Sequence, residues 1–203
     1  DKLFEESGVL REKTWQEFLD TSLALGNCPP LRGDNVVIIT NGGGAGLLAA
    51  DHFERLGMPL KELKDISPDL RENIRNYMPA FGSPLNPVDI SGTATSDMYG
   101  GALKTAYRDE HVDGILISVC PTAVTDVEAI TETVINIHRQ YKNLGKPFIM
   151  ECQGGNECRE AIMKLRDKGI PAYSTPEQAV NAMVALRRYS HIMNKKEKLI
   201  KNI

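Results

Sequence analysis

The stretch VVIITNGGGAGLLAADHFERLG (Val36–Gly57) sets the pattern that decides the fold. Its first five residues are β-branched, which is typical of a strand buried on both faces of a parallel sheet. The small residues that follow predict a tight loop from strand to helix. Apolar side chains then recur at helical spacing, at Leu47, Leu48, Ala50, Phe53 and Leu56. Gly57 marks the end of this helix, so the stretch is one strand–loop–helix unit.

The same alternation of strand and helix continues along the chain. Further strands are predicted around Pro59–Leu63, whose lysines favour a sheet edge, and at Gly114–Val119, Phe148–Glu151 and Ile170–Tyr173. Pro79–Asp89, with three prolines, is predicted to be a loop. Helices are predicted near Pro68–Tyr77, from Ser96 or Asp97, from Asp126 to His138, up to Lys168 and from Thr175. This rhythm predicts an α/β fold, a flavodoxin-like, doubly wound, parallel five-stranded sheet.

Two flanking segments complete the predicted organisation. Residues 1–33 are expected to be a short helical N-terminal lead-in from a preceding domain, in which Thr14 and Glu17 form a capping-box pattern. Residues 34–194 are expected to be the main domain, and residues 195–203 a basic tail. A solvated helix end explains the lysines of this tail better than a phosphate-binding patch does.

The composition favours a cytoplasmic globular protein. Hydrophobic residues make up 41% and charged residues 25% of the chain, which is ordinary for a globular domain. A net charge of -3 without a basic stripe argues against nucleic-acid binding. No apolar run is long enough to cross a bilayer, and the charged start DKLFEESGVLREK differs from a signal peptide. We therefore expect no nucleic acid and no membrane among its partners.

The cysteines and histidines lack the spacing of a metal site. The cysteines contain no CxxC pair, so we predict reduced structural thiols in a cytosolic protein. Their positions are Cys28, Cys120, Cys152 and Cys158. The histidines also lack metal-ligand spacing, and stand at His52, His111, His138 and His191. We expect neither a metal site nor a nucleophilic thiol.

The glycine-rich loop is the strongest candidate for a binding site. Ligands of such a sheet collect at the carboxyl ends of its strands. Glycines let an anion approach the backbone, and the helix that follows directs free N–H groups and a partial positive charge at it. We interpret the loop as an anion site. The alternative is that its glycines only permit a tight turn.

Other polar loops are expected at the same edge of the sheet. Pro121 and Thr122 come directly after one strand, and Gly154 lies in a second glycine loop. Glu151 either contacts a substrate or caps the next helix. Asp89 either caps a turn or positions a neighbouring group. The residues by themselves leave these alternatives open.

A nicotinamide-dependent dehydrogenase is a rival hypothesis. The run Gly44–Ala49 matches G-x-G-x-x-A, and Glu62 stands 18 residues beyond Gly44. However, a dinucleotide site needs its acid at the end of an apolar strand, whereas Lys61–Asp65 is densely charged. The chain also has no GxxxxGK[ST] phosphate loop, which argues against ATP binding of that kind.

Five segments of the chain carry a resemblance to a known family. They are TNGGGAGLLAAD (Thr40–Asp51), NPVDISGTAT (Asn86–Thr95), VDGILISVCPTAVTD (Val112–Asp126), KPFIMECQGG (Lys146–Gly155) and GIPAYSTPEQAVNAMVAL (Gly169–Leu186). Together they resemble the last domain of the α chain in ADP-forming acetyl-CoA and related acyl-CoA synthetases, which are relatives of succinyl-CoA synthetase. The resemblance covers nearly the whole chain, and its first two motifs at their spacing are fairly specific.

The resemblance implies a role at a phosphohistidine. The family joins a carboxylic acid to coenzyme A through an acyl phosphate and a phosphorylated histidine, with ATP made or used. The glycine-loop helix would be one of two helices whose amino ends face the phosphate, which agrees with the anion-site interpretation. The phosphate-binding residues implied are Asn41, Gly42, Gly43, Gly44 and Ala45, with Pro121, Thr122 and Gly154 at the other strand ends.

The resemblance also implies that other parts are needed. The family histidine normally lies in an SHTGA-like stretch of the preceding domain, and neither His52 nor His111 has that context. We therefore expect no catalytic residue and no cofactor bound by this domain alone, whereas the full enzyme would use CoA, ATP or ADP, and Mg²⁺. Its partners would be upstream CoA-binding and phosphohistidine domains and an ATP-grasp domain or subunit. An alternative is a regulatory module fused to a lysine acetyltransferase.

Overall fold

A computed structural model describes residues 2–201 of the chain, apart from the side chains of residues 2, 5 and 197–201. The strands are β1 (Val36–Thr40), β2 (Val88–Asp89), β3 (Gly114–Val119), β4 (Phe148–Cys152) and β5 (Ala172–Tyr173). The helices are α1 (Lys2–Glu6), α2 (Trp15–Asn27), α3 (Gly43–Arg55), α4 (Leu63–Ile66), α5 (Leu70–Arg75), α6 (Ser96–Arg108), α7 (Val127–Tyr141), α8 (Asn156–Asp167) and α9 (Pro176–Lys201). A short 3-10 turn, Lys142–Leu144, follows α7.

The strands form one parallel sheet in the order β2-β1-β3-β4-β5. This confirms the predicted five-stranded, flavodoxin-like α/β fold. The three central strands β1, β3 and β4 are buried along their whole length, because helices cover both faces of the sheet. Their carboxyl ends meet at one edge, which is therefore the edge where a ligand is expected.

Successive residues of β1 face two separate apolar cores. Val37 and Ile39 pack into the core beneath α5, α6, α7 and α8. Val36 and Ile38 pack into the opposite core, with side chains of α2, α3 and α9. This double burial is the physical reason for the continuous β-branched run, since neither face of the strand meets water.

The predicted second strand at Pro59–Leu63 is wrong. Leu63 begins helix α4, and the edge strand β2 comes instead from Val88–Asp89, which was predicted to be part of a loop. The side chain of Asn86 occupies this edge of β1. Its Oδ1 accepts a hydrogen bond from the N–H of Ile38 at 3.1 Å, and its Nδ2 donates to the carbonyls of Val36 and Lys61 at 2.8 Å. One amide side chain thus makes bonds that a longer strand would have made.

Helix α2 packs on the last helix, α9. Thr14 and Glu17 exchange the two hydrogen bonds of the predicted capping box at the start of α2. The hydroxyl of Tyr173 donates to the carbonyl of Asp20 at 2.7 Å, which ties α2 to β5. The predicted basic tail continues α9 as far as residue 201, while residues 202 and 203 lie outside the described part. None of the helices described is long and apolar enough to span a membrane.

Cys152 and Cys158 form a disulfide between the end of β4 and the first turn of α8, with Cα atoms 5.3 Å apart. The prediction of four reduced thiols is therefore wrong for this pair. Their spacing in the sequence gave no signal, because the turn between them is what brings the two residues together. Cys28 and Cys120 are free thiols.

Candidate anion site at the carboxyl edge of the sheet

Helix α3 begins immediately after β1 with an uncapped amino end. Its N-cap residue is Gly42, which offers no side chain to the first turn. The N–H of Gly46 makes the first helical bond, to the carbonyl of Gly42 at 3.1 Å. The N–H groups of Gly43, Gly44 and Ala45 have no hydrogen-bond partner among the described residues. Three donors and the positive end of the helix dipole are thus available to an anion.

Close contacts explain two of the three loop glycines, and backbone strain explains none of them. Gly42, Gly43 and Gly44 all lack a positive φ. A Cβ on Gly42 would lie 2.5 Å from Sγ of Cys120, and one on Gly43 would lie 2.7 Å from Oδ2 of Asp89. A Cβ on Gly44 would meet nothing within 4 Å. Gly44 is therefore the loop glycine that packing within this domain leaves unexplained.

The side chain of Asn41 holds two strand ends together. Its Oδ1 accepts from the N–H of Cys120, and its Nδ2 donates to the carbonyl of the same residue, both at 2.8 Å. Nδ2 also reaches Oγ1 of Thr125 at 3.3 Å. The residue is almost wholly buried. Asn41 was predicted to bind phosphate, but its side chain is occupied by these contacts, which position the loop.

The loops after β3 and β4 lie beside the glycine loop, as predicted. Oγ1 of Thr122 donates to the carbonyl of Gly92 at 2.9 Å and pairs with Oγ1 of Thr125 at 2.8 Å. Gly154 has a φ of +146°, and a Cβ there would lie 3.3 Å from Pro121. Gly154 is therefore needed for its backbone conformation. Thr125 links this network to Asn41.

Cys120 lies at this edge and was predicted only to be a structural thiol. Cys120 directly follows β3, and its Sγ accepts a hydrogen bond from Nε2 of Gln153 at 3.1 Å. Burial raises the pKa of the Cys120 thiol, so the group is a neutral thiol at physiological pH. The available signal was positional, since a residue just after a central strand must lie at the ligand edge. The side chain of Cys120 lies against one side of the glycine loop, at Gly42.

Asp89 lies at the opposite side of the loop. Its Oδ1 accepts from the N–H of Ser91 at 2.8 Å, which is the turn-capping alternative left open by the sequence. Its Oδ2 is the atom that approaches Gly43. A carboxylate is favourable at the amino end of a helix. It also repels any anion that binds the neighbouring N–H groups.

Glu151 neither caps helix α8 nor reaches the surface. Helix α8 has Gly155 at its N-cap and no side-chain cap bond. The Glu151 side chain is fully buried, and neither of its carboxyl oxygens has a hydrogen-bond partner. Glu151 therefore fits neither alternative from the sequence, contact with a substrate or capping of the next helix. It is a buried carboxyl group below the loops.

The described residues form neither a metal site nor a dinucleotide site at this edge. Among the described residues, no group of three or more His, Cys, Asp or Glu side chains is arranged to hold a metal ion. Glu62, the acid of the dinucleotide hypothesis, is not at a strand end and pairs with Lys64 at 2.9 Å. A cavity of about 730 Å³ lies elsewhere, between residues 4–13 and helix α9. The candidate site is an open surface, on which Gly44, Thr122 and Gly154 are exposed.

Known proteins share both the sequence and the fold. The family model described as "Ligase-CoA domain" matches residues 36–195. The α subunit of Pyrococcus furiosus acetate–CoA ligase (ADP-forming) I is 43% identical over 193 residues, which cover 92% of this chain and 39% of that protein. The acetate–CoA ligase (ADP-forming) I of Archaeoglobus fulgidus is 32% identical over 192 residues, which cover 95% of this chain and 26% of that protein.

A solved structure extends the similarity to three dimensions. The apo form of Ca. Korarchaeum cryptofilum dinucleotide forming acetyl-coenzyme A synthetase 1 superposes with a TM-score of 0.90 at 32% identity, covering 97% of this chain and 42% of that chain. The same protein is solved in complex with phosphate and ADP. The chain thus spans between about a quarter and two fifths of the length of these relatives. The match over most of the sequence and the shared fold show that the chain belongs to the Ligase-CoA domain family, with homologues among the α subunits of ADP-forming acetate–CoA ligases.

Proposed function

We propose that this chain is the part of an ADP-forming acetyl-CoA synthetase that supplies N–H donors to the phosphate of a phosphohistidine. The whole enzyme would convert a carboxylic acid, CoA and ATP to acyl-CoA, ADP and phosphate. The intermediates would be an acyl phosphate and a phosphorylated histidine. The main support for this proposal is the uncapped amino end of α3, where Gly43, Gly44 and Ala45 present unpartnered N–H groups.

The geometry favours binding of a phosphoryl group over a purely structural role of the loop as a tight turn. A turn alone would explain Gly42 and Gly43, where an added Cβ would lie 2.5 Å from Sγ of Cys120 and 2.7 Å from Oδ2 of Asp89, respectively. It does not explain Gly44, whose missing side chain leaves open space beside the donors. A phosphoryl group carries several acceptor oxygens and fits a helix amino end, where dipole and donors act together. The phosphate in a complex of the Korarchaeum relative supports the same chemistry.

The exposed surface beside the donors supports a partner domain. Leu47 and Leu48, one turn along α3 from Gly44, are 63% and 50% exposed. Adjacent exposed leucines next to an open anion site are typical of a surface that another domain covers. We infer that the covering domain carries the phosphorylated histidine. It would lie upstream of this chain, together with a CoA-binding domain. An ATP-grasp domain or subunit would complete a cytoplasmic enzyme that uses Mg²⁺ with its nucleotide.

The organisation of the chain fits this arrangement. We infer that residues 1–33 lead in from the preceding domain, that residues 34–194 form the ligase domain, and that residues 195–203 are a basic tail. Helix α2 would then be the last piece of the connection, held on α9 beside the sheet. The candidate site at the carboxyl edge, where Gly44, Thr122 and Gly154 are exposed, would then be open to the upstream domain.

A sulfate titration of the ¹⁵N-labelled chain tests where an anion binds. Sulfate is a stable dianion that resembles a phosphoryl group in charge and shape. We expect the amide signals of Gly43, Gly44 and Ala45 to shift together and saturably. The amino end of α7 is the internal control, because the Asp126 side chain already accepts from the N–H of Ala129 at 2.9 Å. Equal responses at both helices, or none at α3, would contradict the proposal.

A further inference from the structure

Glu151 is a buried carboxyl group that the candidate site does not yet use. Both its oxygens are shielded from solvent and lack a hydrogen-bond partner. Its register neighbours on the sheet are Ser118 of β3 and Tyr173 of β5. Oγ of Ser118 is also buried without a partner. A carboxylate in such surroundings is strongly disfavoured relative to the neutral acid, because burial without donors removes its hydration.

The charges that face Glu151 reinforce this preference. Burial raises the pKa of Glu151 to about 7, the Ser118 hydroxyl opposes the rise, and the negative charge of Glu177 on α9 adds to it. Ser118 lies close enough to act on the carboxyl, although the two groups do not reach hydrogen-bond geometry. Besides burial, a negative charge on Glu151 also helps to raise the pKa values of Cys120 and of Tyr99 on α6. No lysine, arginine or histidine among the described residues offsets the rise.

The sheet register brings Glu151 near the candidate anion site. Thr40, Ser118 and Glu151 are adjacent across β1, β3 and β4, so the Glu151 backbone lies about 10 Å from the end of β1 at ordinary strand spacing. Helix α3 begins three residues after Thr40. A negative charge about 10 Å from a carboxyl raises its pKa by about one unit at an effective dielectric constant of about 20. An anion bound at α3 at about this separation would therefore favour proton binding at Glu151.

We propose that Glu151 takes up a proton when a phosphate-like dianion binds the amino end of helix α3, and releases it when the anion leaves. The proposal rests on the proposed function, because it uses the same anion site. One proton moves between solvent and the carboxylate, and no covalent bond forms. The protonated chain then binds the anion more tightly, since the charge of Glu151 no longer opposes it. Anion affinity should fall by about fivefold or more between pH 6 and pH 8 for a one-unit shift centred near 7.

The test is a pH titration of the chain with ¹³C-labelled glutamate carboxyl groups, in sodium sulfate or in sodium chloride of equal ionic strength. We expect one carboxyl to titrate near pH 7 and to move upward by about one unit in sulfate. This signal should be absent in Glu151→Gln and unchanged in Glu160→Gln, which removes an exposed glutamate from α8. In Glu151→Gln, the dissociation constant for sulfate should be the same at pH 6 and pH 8.

The amide signal of Gly44 separates the two possible failures. If sulfate shifts this amide but leaves the Glu151 titration unmoved, the proton linkage is wrong and the anion site stands. If Glu151 titrates near pH 4 like an exposed carboxyl, the linkage is also wrong. If no amide at the start of α3 responds to sulfate, the anion site fails and the linkage fails with it. The titration of the unsubstituted chain decides the matter even if Glu151→Gln does not fold.

Discussion

At the residue scale, Asn41 fixes the position of the glycine loop through the backbone of Cys120. We expect Asn41→Ala to destabilise the chain by about 2–4 kcal/mol, because it leaves a buried N–H and a buried C=O without partners. Urea unfolding measures this difference. Asn194→Ala, on the exposed surface of α9, is the control and should change the free energy of unfolding little. Equal stability of the two variants would show that the Asn41 bridge contributes nothing.

Asp89 gives a second prediction at this scale. Its carboxylate faces the first turn of α3, where it competes with an incoming anion. Asp89→Asn keeps an oxygen for the N–H of Ser91 and removes the charge. We expect sulfate to bind about two- to fivefold more tightly, as for the removal of a partly exposed charge pair. Asp167→Asn removes the same charge from the far end of α8 and should leave sulfate affinity unchanged. If both variants bind alike, Asp89 does not act on the site.

At the element scale, the loop between β4 and α8 depends on one backbone conformation. Gly154 has a φ of +146°, whereas Gly155 has a φ of -67° with no atom within 4 Å of an added Cβ. We expect Gly154→Ala to lower the free energy of unfolding by about 1–3 kcal/mol, since alanine is strained at that φ. Gly155→Ala should be nearly neutral. Thermal unfolding of this pair compares one added methyl group at adjacent positions, and equal melting temperatures would contradict the conformational argument.

The sequence predicted best those elements whose pattern is set by burial. β1 and α3 were readable because both faces of the strand are covered and the helix has one buried face. The edge strand could not be predicted, because β2 is only two residues long and the side chain of Asn86 completes the pairing with β1. Local patterns cannot report such bonds between distant segments.

Within the candidate site, position was predictable and side-chain role was not. Five of the eight predicted residues lie on loops at the carboxyl edge of the sheet, and the other three lie in the first turn of α3 at the same edge, because parallel strands end together. Whether a side chain there faces a ligand depends on contacts across the sheet, as Asn41 and Glu151 show. The Cys152–Cys158 disulfide likewise depends on the fold of the turn between them.

At the scale of the whole molecule, the chain spans about two fifths of the Pyrococcus α subunit that it resembles. Its histidines are not placed at the candidate site, and its anion donors face outward. We expect the purified chain to show no turnover of acetate, ATP and coenzyme A, because in the proposed function this part would supply donors to a histidine of another domain. An ADP-release assay with the full-length enzyme as positive control measures this. Sustained turnover by the chain alone would contradict the division of labour proposed for it.

The rate of phosphohistidine formation in the full-length enzyme is the most direct test of the role of helix α3. Gly44→Val should slow it by about tenfold to a hundredfold, because the side chain fills space that the phosphate needs and keeps the phosphate away from a charge-assisted N–H donor. Gly26→Val is the matched control, a helical glycine in α2 whose Cβ would also meet nothing within 4 Å. We expect slow phosphorylation only in Gly44→Val, with both variants folded. Equal rates per folded molecule in the two variants would contradict it.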